Sequence, residues 1–383
     1  MKQVIILGDV ELGGGTLTDD FISDKALIDL IDKCNDKKKE VDLVFNGDTF
    51  DFLKCPYVNE NGKISYPRHI TTKISLAKLK LIYKEHKEVF EAWKRFVDCK
   101  KHKLYFIYGN HDHDLFFKLV QEEIGRILNV KHDNVFFSLK YNEHRIHAEH
   151  GHQYDYLNKI NPRRAFLKYK GDHILNISWV SLGIISKFMT MKEEHPFLER
   201  VKPLPMLFSH HKMAVKKVSL RSLEYFFKSV FYYPIKYYYD PTYRFPKALF
   251  REFYRRLKNK HWEVDKIVDK FKRRNRKKLG INKIYVLSHI HERYIEEKEG
   301  WVMIHPDTWR DEYILQEHNK ELVPKVKSYV HIVVKGEELE WNLVNHSVSR
   351  RILRFDDVKV DEHRFIDIVK REERIFMDNS KSP

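Results

Sequence analysis

The sequence predicts an α/β fold on a largely parallel sheet, interrupted by one large, mostly helical insert. Three observations carry the prediction. Short apolar runs recur along the 383 residues, and each stops at a polar cluster. Stretches of helical period separate the early runs, and strand alternating with helix is the pattern of a parallel sheet. Between 156 and 281 that rhythm stops, and aromatic and basic residues take over.

The runs justify themselves one by one. Val4–Leu7 ends at Gly8-Asp9, Leu43–Phe45 at Asn46-Gly47-Asp48, and Leu104–Tyr108 at Gly109-Asn110-His111-Asp112. Arg145–Ala148 ends at Glu149-His150-Gly151-His152, and Ile284–Leu287 at Ser288-His289-Ile290-His291. Short apolar runs bounded by Gly and Asp read as buried strands. Asp24–Asp36 and Ile74–Cys99 read as helices between them. Trp301–Ile304, Tyr329–Val334 and Leu339–Val344 are short and rich in β-branched residues, so they are expected as antiparallel strands completing a second sheet. Gly336-Glu337-Glu338 supplies the turn between the last two. The expected division is a core of 1–155 and 282–346, a basic, aromatic-rich insert or lid at 156–281, and a charged tail at 347–383.

Charge separates the same regions. The formal charge is +16, yet 156–281 holds 30 Lys plus Arg against 10 Asp plus Glu, a net of +20 that leaves the rest at −4. A slightly acidic core suits cations, and a basic insert suits an anionic partner. Three widely spaced cysteines with no CxxC pair exclude a disulfide framework and favour a reducing compartment. Met1-Lys2-Gln3 runs straight into a strand with no leader pattern, so a cytoplasmic location is expected.

In open α/β sheets ligands collect beyond the carboxyl ends of the strands. Each of these polar clusters lies at such an end, so five distant segments are expected to converge. Their carboxylates, amide oxygen and imidazoles suit divalent first-row metals. The i, i+2 spacing of His289 and His291 puts both on one face of an extended segment. A shared carboxylate such as Asp48 can bridge two ions, an arrangement that serves phosphoryl transfer.

The ordered series resembles the calcineurin-like metallophosphoesterase superfamily, whose pattern is D-x-H, GD-x-x-D, GNH-D/E, H and GH-x-H. The resemblance implies a four-layer α/β/β/α sandwich and metal-dependent hydrolysis of a phosphodiester or diphosphate by a metal-activated hydroxide. It implies Asp9, Glu11 and His291 at a first metal, Asp48 as the bridge, and Asn110, His150 and His289 at a second. Manganese is the leading candidate, with iron and zinc as alternatives. His111, beside Asp112, would be the general acid or transition-state stabiliser, and His152 and Asp51 would contact substrate. Two positions depart from the pattern: Glu11 stands where the family usually has His, and Ser288 where it usually has Gly.

A helical insert between His150 and the final His-x-His is also similar to the UDP-2,3-diacylglucosamine hydrolase branch, which implies a lipid-linked diphosphate substrate. Ile174–Met191, with Lys187 its only charge, is expected as an interfacial or lid helix. Tyr225–Trp262 mixes Tyr and Phe with Lys and Arg, which suits an anionic membrane surface and a peripheral location on its inner face. The same composition suits nucleic acid, so a nuclease or nucleotide phosphodiesterase is the alternative.

Overall fold

The computed structural model describes residues 1–210, 212–259, 267–348 and 350–379. Trp262, the end of the aromatic and basic stretch, and 380–383 of the tail lie outside the described residues. The chain is mixed α/β, as expected. β1 (Lys2–Leu7), β2 (Glu40–Phe45), β3 (His102–Ile107) and β4 (Val135–Ser138) lie side by side and parallel. A second sheet has the order β8 (Arg293–Lys298), β9 (Trp301–Pro306), β7 (Ile284–Leu287), β6 (Ile146–Glu149), β5 (Tyr141–Glu143). In it β7 runs parallel to both of its neighbours.

The last two strands correct the expectation. β10 (Lys327–Lys335) and β11 (Glu338–His346) extend the first sheet through β1, not the second, and turn on Gly336 at φ 62°. Only Trp301–Pro306 of the three late runs enters the second sheet, antiparallel to β8 as expected and parallel to β7. Composition specified strand and turn correctly, but nothing in a strand's own residues names its pairing partner.

Alternation along β1 explains how the two sheets meet. Val4 and Ile6 point to one face and pack with Ile146, Ala148, Ile284, Val286, Val302 and Ile304 of the second sheet. Ile5 and Leu7 point to the other and join the helices α1 (Asp24–Cys34), α2 (Thr72–Glu85), α3 (Lys87–Val97) and α4 (Lys118–Ile127). Burial on both faces is why the parallel strands read as continuous apolar runs. The long helical pattern Ile74–Cys99 is therefore two helices, divided at His86. That ring is buried, with Nδ1 2.7 Å from Asp24 and Nε2 3.3 Å from Asp19.

The described residues between 156 and 281 include a hairpin (Phe166–Tyr169 with Asp172–Leu175), a helical stretch Trp179–Glu194, a short helix Leu204–His210 and three longer helices. These are α5 (Lys212–Phe227), α6 (Lys247–Asn259) and α7 (Ile267–Asn275). Ile267, Val268 and Phe271 of α7 cover the outer face of the second sheet at Tyr285, Leu287 and Met303. Ile174–Met191 is not a single interfacial helix: Ile174 and Leu175 end the hairpin, and the helix starts at Trp179. Leu175, Ile177, Leu182 and Ile185 join the main core, while Val180, Ile184 and Phe188 line a cavity, as the lid alternative expects. Two core residues anchor the aromatic segment. His69 lies 2.6 Å from Asp240, and Arg68 sits 3.9 Å above the Tyr243 ring while donating to the Thr242 carbonyl. The tail also packs, with Phe355, Val358, Ile366 and Val369 against Tyr313, Leu315 and Leu322.

Burial opposes charge on His86, but Asp24 and Asp19 outweigh it and hold the imidazole well above its ordinary pKa. The stabilisation is therefore complete below about pH 6.5, the unfolded value, and is lost as pH rises through the higher folded value. His86→Leu should cost about 3 kcal/mol at pH 6, where it strands the buried carboxylate of Asp19 and the partly buried one of Asp24. In melts from pH 6 to 10 the gap between wild type and variant should narrow steadily. A gap that does not change with pH would show that the ring is neutral in the fold.

Candidate metal centre

The carboxyl ends of β1, β2, β3, β6 and β7 deliver Asp9, Asp48, Asn110 with His111, His150, and His289 with His291 to one place. The approach is close enough to force the backbone. Glu11, Asp48 and His289 adopt left-handed φ values of 58°, 47° and 75°, conformations that cost non-glycine residues energy and gather at functional sites. Two glycines make room: a Cβ on Gly47 would lie 2.4 Å from the His150 ring, and one on Gly109 would lie 2.0 Å from Asp48 Oδ1.

Among the described residues, the donor groups with atoms within 4.8 Å of one another include Asp9, Glu11 and His291; Asp48, His150 and His289; and Glu11, Asp48 and His111. His291 Nε2 is 3.1 Å from Asp9 Oδ2 and 3.6 Å from Glu11 Oε1. His150 Nε2 is 3.1 Å from both Asp48 Oδ2 and Asn110 Oδ1. Burial disfavours charge on these imidazoles, yet Asp48 and Asp9 push His150 up to about 9, and Asp9 with Glu312 does the same to His291. Sites that draw protons onto imidazole this firmly are sites that favour cations. The donor chemistry and spacing fit divalent ions.

Three supporting residues escaped the sequence reading. Glu312 accepts from His291 Nδ1 at 2.9 Å, Asp155 lies 3.2 Å from His289 Nε2, and the Asn46 carbonyl accepts from His150 Nδ1 at 3.1 Å. For His291 and His150 this leaves Nε2 aimed at Asp9 and Asp48, the usual role of a partner behind a ligating imidazole. Asn46 alone had a signal, because it sits directly before Gly47-Asp48. It also explains Ser288, whose hydroxyl accepts from the Asn46 amide at 3.0 Å.

His111 faces the cavity, and three expected neighbours are placed elsewhere. Asp112 does not pair with the His111 ring. It is fully buried and accepts from the Gly109 and Thr49 amides at 2.6 and 2.9 Å, tying two loops together. Burial and then the Asp48 charge push its carboxyl up to about 8. The partner of His111 is Asp51, 2.9 Å from Nδ1; Asp51 is buried and does not line the cavity. His152 is also buried, ringed by His150, His289 and His113, and it does not line the cavity.

Glu11 presents its two oxygens differently. Oε1 faces His291, whereas Oε2 lies 2.7 Å from Lys54 Nζ, with Arg310 3.7 Å away. Lys54 also reaches Asp20 at 2.8 Å and Asp51 at 3.0 Å. Burial works against the charge on Glu11, but Lys54 and Arg310 hold its carboxyl below the ordinary carboxylate range. A carboxylate where the family carries a neutral imidazole adds one buried negative charge, and Lys54 offsets it. Removing one partner of such a group is costly, about 3–5 kcal/mol. Lys54→Met should therefore destabilise strongly, and Glu11→Gln in the same chain should recover about 1–3 kcal/mol of that loss. Strictly additive effects in denaturant titrations would show that the two side chains are not coupled.

A cavity of about 400 Å³ opens from this centre. Its lining combines Asp9, Asp48, Asn110, His111, His289 and His291 with the apolar Val180, Ile184, Phe188, Leu204, Leu207 and Val218. The profile of the family described as calcineurin-like phosphoesterase matches residues 3–323. No curated protein matches the chain. With most of its length matched, this chain belongs to the calcineurin-like phosphoesterase family, which implies metal-dependent hydrolysis of a phosphoester.

Proposed function

We propose that the protein is a dinuclear metal-dependent hydrolase of a phosphodiester or diphosphate bond whose substrate carries an apolar chain. The observation behind this reading is the cavity, whose lining combines carboxylates and imidazoles with aliphatic side chains. A phosphate suits the first set of groups, and a hydrocarbon chain suits the second. The segment Trp179–Glu194 supplies much of the apolar wall. In this reading 156–281 is an insert over a four-layer α/β/β/α sandwich, and the substrate class is that of the UDP-2,3-diacylglucosamine hydrolase branch.

Asp9, His291 and Glu11, the last through Oε1 alone, would hold the first ion. Asn110, His150 and His289 would hold the second, with Asp48 between them. Ions in this position supply Lewis acidity toward phosphoryl oxygens and lower the pKa of an attacking water. His111, exposed to the cavity and oriented by Asp51, stands where it can donate a proton or hydrogen bond to the leaving oxygen. Burial opposes the imidazolium, whereas the carboxylates of Glu11, Asp51 and Asp48 favour it and push His111 up to about 10 in the metal-free site. Manganese fits the oxygen-rich donor set, with iron and zinc as alternatives.

Metal-stripped protein with Mn, Zn, Mg or Fe restored should hydrolyse bis-p-nitrophenyl phosphate. Asp48→Ala and Asn110→Ala should each lose at least about 100-fold. Ile184→Trp, which crowds the apolar lining, should cut turnover of a UDP-linked lipid about 10-fold and spare the small ester. Oligonucleotide cleavage that exceeds lipid turnover, with Ile184→Trp neutral, would favour the nuclease alternative. No turnover with any metal in a folded protein would refute the hydrolase reading.

A further inference from the structure

The helix that begins with α5 continues through a π-turn, Lys228–Tyr232, into Tyr233–Lys236, about 37 Å in all. Its two faces are both apolar. Inward, Tyr225 and Ser229 are buried, Tyr233 packs on Tyr243, and Val218 lines the cavity. Outward, Leu220, Leu223, Phe227, Phe231, Ile235 and, just past the helix end, Tyr238 are 50–79% exposed. Their spacing of three or four residues keeps them on one stripe. Phe250 and Tyr254 of α6 are 59% and 65% exposed. Monomeric proteins rarely present so much contiguous apolar surface without a use for it.

The charges beside the stripe say what covers it. Residues 212–259 carry 12 Lys plus Arg against 3 Asp plus Glu. The acids are already engaged: Asp240 with His69, Glu224 with Lys187 and Lys228, and Glu252 with Arg255. Lys212, Lys216, Lys217, Lys236, Lys247 and Arg251 are exposed. A second copy docked on this face would set two surfaces of net charge +9 against each other, since a twofold interface meets itself. An anionic bilayer meets both demands at once, taking aromatic and aliphatic side chains into the acyl boundary while its headgroups meet the cations.

We propose that the outer face of the Lys212–Lys236 helix, with Tyr238 and the exposed side of α6, docks the protein on an anionic membrane surface. Among the described residues no helix is long and apolar enough to cross a membrane, so the contact is peripheral. Because the same helix walls the cavity with Val218, docking holds the cavity about one helix diameter, roughly 10 Å, from the lipid. The docking does not depend on which phosphoester is cleaved, or on whether one is.

Co-sedimentation tests it on the full chain, with vesicles of phosphatidylcholine alone or with 30% phosphatidylglycerol. Wild type should bind the anionic vesicles, bind neutral ones at least about tenfold less, and be released in part by 0.5 M NaCl. Phe227→Glu/Phe231→Glu should bind at least tenfold less, keep the wild-type circular dichroism and turn over bis-p-nitrophenyl phosphate at the wild-type rate. Failure of wild type to bind anionic vesicles would overturn the proposal, as would equal binding by the folded double variant. A dimer by light scattering that the double variant converts to monomer, without vesicle binding, would assign the face to a second copy. Salt-sensitive binding of oligonucleotides in place of vesicles would assign it to nucleic acid.

Discussion

Everything around the centre answers to one electrostatic constraint: several carboxylates are buried together at the carboxyl ends of strands, where water cannot screen them. Asp9, Glu11, Asp20, Asp48 and Asp51 are each at most 2% exposed. Such charges persist only when paired or when they hold cations. The part that faces the cavity is the donor set whose chemistry fits divalent ions. Lys54 and Arg310 answer for the part behind it, and their network explains how this chain carries Glu11 at a position where the family usually has histidine.

That network also fixes the wall of the cavity. Asp20 takes Lys192 as well as Lys54 and Arg310, and Glu199 meets Lys192 and, at 3.1 Å, Arg310. Lys192 and Glu199 belong to the segment that covers the centre, and both line the cavity with Lys54 and Arg310. Arg200 beside them donates to the Asp19 carbonyl. The apolar wall is thus positioned by the same charges that position a metal donor, and a change in one is felt in the other.

The aromatic segment resolves into two populations that composition could not separate. Tyr225, Tyr233, Tyr237 and Tyr243 pack on one another and on Trp179, forming the segment's own small core. Phe227, Phe231, Tyr238 and Tyr239 face outward. Neighbouring residues in sequence take opposite fates because a helix turns about 100° per residue, and only the packed face is held by its neighbours.

By itself the sequence determined the α/β class, the strand ends and the donor residues. Apolar runs closed by Gly-Asp, Gly-Asn-His-Asp and His-x-His are local patterns, and their chemistry follows from residue type. Tertiary structure alone decided what meets what. It gave His111 to Asp51 in place of Asp112, placed β10 and β11 on the first sheet, and turned Ile174–Met191 inward. It also brought Lys54, Glu312 and Asp155 to the centre from positions with no motif of their own. The physical reason is that pairing and burial are relations between distant segments, whereas a sequence pattern records only what each segment prefers alone.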